Sequence, residues 1–249
     1  MATKQQTPTT RDHSEHTAQL QPFHGYFSPG IAFESGYTLW MFIWSSSPTD
    51  LDDYGSVWVI TPDGERVLYG DPPAAGPIVE TWHNFDRTLG ASISQNRVTK
   101  DIVELEVEGE DGMSLQLTAE LGSSFGTRVL NAITSLTPQP ILRTGIGERI
   151  SNLSLNLLMD VNGLKVAGIT DTAEPYRVEA ESLRVVRRAS AILDGEDLGE
   201  VHPPRRQRDF GDAKVPDQPF LLSVIFTCGH LPSSTGHPCP NALFENTGR

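Results

Sequence analysis

Val103–Glu104–Leu105–Glu106–Val107–Glu108, then Glu110–Asp111–Gly112, then Leu115–Gln116–Leu117–Thr118–Ala119–Glu120–Leu121 is the stretch that decides the fold. Apolar and polar residues alternate with period two on both sides of an acidic turn. Val103, Leu105, Val107, Leu115, Leu117, Ala119 and Leu121 therefore share one face and the glutamates take the other. This predicts an antiparallel hairpin with one face on a core and one in water. A second hairpin is expected where Leu153–Ser154–Leu155–Asn156–Leu157 and Leu164–Lys165–Val166–Ala167–Gly168 flank Asn162–Gly163, a dipeptide suited to the φ > 0 geometry of a tight turn. A third runs from Gly55–Ile60 through Thr61–Pro62–Asp63–Gly64 to Glu65–Tyr69, with Trp58 and Ile60 expected against Val67 or Tyr69. Further candidate strands are Tyr37–Trp44, Pro77–His83, Tyr176–Glu181, Leu183–Val186, Ser190–Leu193 and Leu221–Thr227.

Strands with one apolar face must close around a shared core, so the expectation is an all-β or β-rich fold: an antiparallel barrel or sandwich with few helices. The best candidate helix, Arg128–Leu136, stops at Thr137–Pro138–Gln139–Pro140, where prolines break it. That stretch also marks an internal boundary. The expected organisation is a disordered leader over 1–21, a first β-rich half over 22–137, a second over 138–227 and a tail over 228–249.

Charge narrows the partners. The chain's 249 residues carry 32 Asp and Glu against 19 Lys and Arg, a formal net charge of −13, and such a surface repels polyanions. Nucleic acid and anionic membrane are not expected partners. The short basic clusters Arg184–Arg187–Arg188 and Arg205–Arg206–Arg208 read as solvated faces paired with nearby carboxylates. The polar start lacks the ~7–15 apolar residues of a signal peptide. The longest apolar runs, Leu39–Trp44 and Phe220–Phe226, fall far short of the ~20 residues that span a bilayer, so no membrane insertion is expected. Two cysteines, Cys228 and Cys239, fit a reducing cytoplasm better than a disulfide framework.

Trp82–His83–Asn84–Phe85–Asp86 is the strongest candidate for chemistry, because an imidazole with its ordinary pKa near ~6.5 at a strand end serves as general acid or base. Alternation would put Trp82 and Asn84 on one face and His83 and Phe85 on the other. The competing reading has His83 and Asp86 satisfying turn backbone groups while Trp82 and Phe85 fill core. Phe23, Tyr26, Phe27, Phe33, Tyr37, Trp40, Phe42 and Trp44 exceed what one strand needs and could line a pocket or make a core. Cys228, His230, His237 and Cys239 hold the ligand inventory of a structural zinc site at an unusual spacing, and the alternative is a core cysteine followed by a tail; no metal is expected. Asp50, Asp52 and Asp53 lack the spacing of a calcium loop and read as a turn. Gly122–Ser123–Ser124–Phe125–Gly126 matches G-x-S-x-G. The preceding strand alternates Gln116, Thr118 and Glu120 with apolar residues, whereas an elbow strand is apolar on both faces, so this reads as a turn.

Val57–Trp58–Val59–Ile60–Thr61–Pro62–Asp63–Gly64–Glu65–Arg66, Trp82–His83–Asn84–Phe85–Asp86 and the acidic hairpin Val103–Leu121 together resemble the lipocalin-type proteins of small-molecule metabolism, the group holding carotenoid hydratases, tocopherol cyclase-like proteins and natural-product cyclases. That resemblance implies paired barrel-like domains enclosing an apolar molecule, and hydration, cyclisation or isomerisation without a cofactor. No motif carries the family's catalytic residues across; from the aromatic supply and the polar cluster themselves, His83 or Asp86 is expected to move a proton and Tyr54 to assist, while Trp40, Trp44, Trp58, Trp82 and Phe85 shape the cavity. Whether the protein is catalytic stays open, since a non-catalytic module for a hydrophobic ligand or carbohydrate needs no acid or base. A structural subunit using its acidic hairpin against a basic partner, and a homodimer, are further readings.

Overall fold

The computed structural model describes residues 22–123, 127–128, 167–206 and 209–228. Its strands are β1 (Phe23–Ala32), β2 (Thr38–Ser46), β3 (Tyr54–Ile60), β4 (Arg66–Asp71), β5 (Arg87–Arg97), β6 (Ile102–Gly109), β7 (Ser114–Gly122), β8 (Ala167–Ile169), β9 (Pro175–Leu193), β10 (Glu196–Asp197) and β11 (Phe220–Cys228), with a short helix α1 (Ala75–Glu80) between β4 and β5. The pairing path runs β11-β1-β2-β3-β4-β5-β6-β7, and β9 joins its two ends. The first half of β9 pairs with β11 and its second half with β7, so the three candidate strands over residues 176–193 are one long strand. The sheet thereby closes into a barrel, which removes the unpaired edges of an open sheet. Strands from both sides of Pro138–Pro140 share this ring, while the boundary itself lies outside the described residues.

The lumen is aliphatic. Val103, Leu105 and Val107 of β6 and Leu115, Leu117, Ala119 and Leu121 of β7 are all buried, and Glu106, Glu108, Gln116, Thr118 and Glu120 face water, as the alternation predicts. They meet Leu39 and Met41 of β2 and Val57 and Val59 of β3 in one cluster. The opposite face of β2 and β3 is buried as well, and it is aromatic: Trp40, Phe42, Trp44 and Trp58 pack with Phe23, Trp82 and Phe210. Leu39–Trp44 reads as a continuous apolar run because both faces of its strand are covered.

Three expectations are corrected. Pro77–His83 is not a strand, since residues 75–80 form α1 and Pro77 sits in its first turn, where a missing N–H costs nothing. The helix lies tight on the sheet because Gly70 and Gly76 carry no side chain: a Cβ on Gly70 would stand 2.9 Å from the Gly76 nitrogen. The β3–β4 register pairs Trp58 with Leu68 and Ile60 with Arg66, while Val57 and Val59 pair with Tyr69 and Val67. Trp58 and Ile60 thus face away from Val67 and Tyr69, because five residues, Thr61 to Glu65, make the turn. The early aromatic cluster also splits, with Phe33 on the aliphatic side and Tyr26 and Tyr37 packed against it.

β1 and β5 were not expected as strands. The Asn162–Gly163 hairpin, apart from Ala167 and Gly168 in β8, lies outside the described residues, as do nearly all of Arg128–Leu136, the leader and the tail after Cys228. Among the described residues no helix is long and apolar enough to cross a membrane.

Candidate functional site

α1 ends by handing its last turn to the site. The N–H groups of Trp82 and His83 both donate to the Val79 carbonyl, at 3.0 and 3.1 Å, so a helical turn rather than strand alternation sets their directions. Both side chains consequently line one cavity, together with Phe23, Phe42, Trp44, Tyr54, Ser56, Trp58, Val79 and Phe226. This corrects the expectation that Trp82 and His83 point to opposite faces. The cavity is about 30 Å³, room for about two waters, and Phe226 and His83 are its half-buried lining residues. A gap of about 10 Å³ lies among Ile31, Met41, Leu105, Leu117 and Leu221 of the lumen, and a hollow of about 300 Å³ is lined by Val59, Val67, Tyr69, Arg87, Asp111 and Met113.

His83 is enclosed by rings: Trp58 at 4.9 Å and Phe210 at 5.6 Å between centroids. Its Nδ1 has no hydrogen-bond partner among the described residues and lies 3.5 Å from the nearest acceptor, Asp171 Oδ2, at the outer limit of such a bond. Burial pushes the imidazole below its ordinary pKa, against the opposing pull of Asp171, so the ring is neutral near pH 7. With Nδ1 turned to a carboxylate, Nε2 is the nitrogen left for a substrate.

Asp171 organises this corner. Burial opposes its charge, but contacts from His83 and the N–H groups of Gly211 and Asn84 outweigh burial and hold its pKa at about 2. Oδ2 accepts from Arg66 at 3.0 Å and from the Asn84 N–H at 3.1 Å, and Oδ1 accepts from the Gly211 N–H at 2.5 Å. Gly211 has φ +61°, and a Cβ there would stand 2.0 Å from the Ile169 carbonyl oxygen, so only glycine fits. Arg66 also donates to the Asp209 carbonyl and lies 4.4 Å over the Phe210 ring.

The residues expected from sequence divide as follows. His83, Tyr54, Trp44, Trp58 and Trp82 line the cavity. Trp40 and Phe85 stand behind it, against Trp58 at 5.8 and 5.1 Å. Tyr54 is buried, and burial raises its pKa, with the nearby Cys228 adding to the rise, so it stays a neutral phenol. Asp86 is exposed and away from His83: its carboxylate accepts the Arg66 N–H at 2.8 Å, a turn-capping role. The carboxylate beside His83 is that of Asp171. Asp171 and Phe210 each lie in a short turn without periodicity and Arg66 opens β4 as an ordinary strand-end cation, and the three meet only through the fold.

Other candidates resolve more simply. Arg184 donates to the Asp101 carboxylate and, at 2.6 Å, to the Lys100 carbonyl, the carboxylate pairing expected of the basic face. Asp50, Asp52 and Asp53 are exposed in the β2–β3 loop. Cys228 is buried at the end of β11, while His230, His237 and Cys239 lie outside the described residues. β7 is antiparallel to both neighbours, unlike the parallel strand of a nucleophile elbow, and Ser124–Gly126 lie outside the described residues.

Compared with known proteins, the chain matches no family model, no curated protein and no solved structure. Fold and site therefore define the class on their own: a closed, all-β barrel with a largely aliphatic lumen and an aromatic outer face that holds a partly buried, neutral histidine against a carboxylate.

Proposed function

We propose that this protein binds an apolar small molecule at the aromatic face and moves a proton on it without a cofactor, in a hydration, cyclisation or isomerisation of a terpenoid- or polyketide-like substrate. The observation carrying this reading is His83, a neutral imidazole standing in an aromatic cavity wall with Asp171 on its far nitrogen. Asp171 stabilises the imidazolium that forms when Nε2 takes a proton, and a neutral Tyr54 across the cavity supplies a hydrogen-bond donor. Trp44, Trp58 and Trp82 offer π faces to a developing cation. A ligand larger than the present cavity enters as Phe226 rotates outward. This is the chemistry that a resemblance to lipocalin-type metabolic proteins implies, relocated from the lumen to the outer face, and it fits a cytoplasmic protein.

The second reading is a non-catalytic carrier of a hydrophobic ligand. Trp40, Trp44, Trp58 and Trp82 are all at most 5% exposed, which favours an apolar ligand over display of rings to carbohydrate. The bicyclic ketone 2-tetralone in D₂O separates the readings. Proton transfer at Nε2 accelerates deuterium incorporation next to the carbonyl, and His83→Gln lowers that rate by about 100-fold or more while binding, read by tryptophan fluorescence, persists. Binding without acceleration selects the carrier, and neither binding nor acceleration rejects both.

A further inference from the structure

We propose that Phe210 is a built-in occupant of a ring-binding site, and that the ligand is an aromatic ring bearing a carbonyl oxygen that replaces it. The inference rests on the reading of the aromatic face above and specifies what that face takes.

The Phe210 ring is held as a bound aromatic molecule would be. Its centroid lies 5.0 Å from Trp40, 4.6 Å from Trp58, 5.6 Å from His83 and 5.9 Å from Phe85, and the Arg66 guanidinium covers it at 4.4 Å. Yet Phe210 comes from a tight turn, its N–H and carbonyl paired with Ala213 in both directions at 3.0 Å, not from a strand of the barrel. Rotation of one side chain empties the seat while that turn keeps its backbone bonds.

Trp40, one wall of the seat, also carries an unanswered polar group. Trp40 is 1% exposed, and its Nε1–H has no acceptor among the described residues. A buried orphan donor is costly, and buried donors are nearly always satisfied. Gly30 leaves the indole edge uncrowded, since a Cβ there would lie 3.1 Å from Nε1, and Val215, from the same connection as Phe210, packs beside it. A hydrocarbon ring fills the seat and leaves Nε1–H unpaired, as Phe210 does; a ring carrying a carbonyl fills the seat and supplies the acceptor.

The test uses Phe210→Ala, which opens the seat, with acetophenone and ethylbenzene as probes of matched shape, affinities being read by thermal shift. Acetophenone stabilises Phe210→Ala, and the ratio of its affinity to that of ethylbenzene falls by about tenfold when Trp40→Phe is added, the equivalent of one hydrogen bond. Acetophenone also moves the Trp40 indole N–H resonance downfield. Phe210→Leu, a milder opening, carries the same comparison where the alanine variant folds poorly. No stabilisation of either variant by acetophenone, or a ratio unchanged by Trp40→Phe, overturns the proposal. Because this readout needs no proton transfer, it is independent of the His83-dependent exchange into 2-tetralone, and either can fail alone.

Discussion

The two faces of β2 and β3 are equally buried and built for different ends. On the lumen side Leu39, Met41, Val57 and Val59 meet the apolar rows of β6 and β7. On the other side Trp40, Phe42, Trp44 and Trp58 pack together, Trp58 against His83, and the Trp40 indole N–H has no acceptor among the described residues. Close packing of branched aliphatics stabilises and leaves nothing to react. Aromatic rings stabilise through their large buried areas too, and the polar edges of Trp and Tyr give a ligand groups to bond. Both faces thus contribute to stability, and the groups that the proposed function uses lie on the aromatic one.

Four substitutions or conditions sharpen that division or break it. Leu115→Ala empties a fully buried lumen position and should cost about 3 kcal/mol in urea denaturation, with 2-tetralone binding unchanged among folded molecules. Asp171→Ala follows, at about 2 kcal/mol: it strands Arg66 and the N–H groups of Gly211 and Asn84, and Arg66, with 23% of its side chain exposed, recovers part of the loss in water. Unlike the lumen variant it should also abolish exchange into 2-tetralone.

The pH dependence is smaller. The pKa of His83 is lower folded than its unfolded value of 6.5, with Asp171 and Arg66 the charged groups facing it. As pH falls below about 6.5 the unfolded chain takes up a proton that the folded protein refuses, so stability falls. His83→Gln should remove that slope in thermal melts. Asp171, held at about 2 against an ordinary 3.8, contributes stability that is complete above 3.8 and lost between 3.8 and 2. Smallest of all, Glu106→Gln on the solvated face of β6 should shift stability by no more than about 0.5 kcal/mol. A larger effect there would mean that the acidic face has a partner.

The fold was legible where only one face of a strand is buried. β6 and β7 announce themselves because each glutamate marks water and each Val or Leu marks core. β5, with Leu89–Gly90–Ala91–Ser92–Ile93, is hidden because its small residues read as loop, and β1 because Gly25, Pro29 and Gly30 interrupt its apolar residues. α1 was taken for a strand because six residues offer too little periodicity to distinguish the two. For the site, tryptophan and histidine carry their own chemical signal, and four tryptophans, His83 and Tyr54 do gather on one face. Asp171 and Phe210 are 88 and 127 positions beyond His83, and pairings that distant are written in the β8 and β9 topology, not in local pattern.

The most direct measurement is an NMR titration of the isotope-labelled protein with 2-tetralone, following indole N–H and leucine and valine methyl resonances together. The account predicts that the indoles of Trp44, Trp58 and Trp82 move while the methyls of Leu105, Val107 and Leu115 stay in place. Movement of the lumen methyls with still indoles would contradict it and return the ligand to the inside of the barrel.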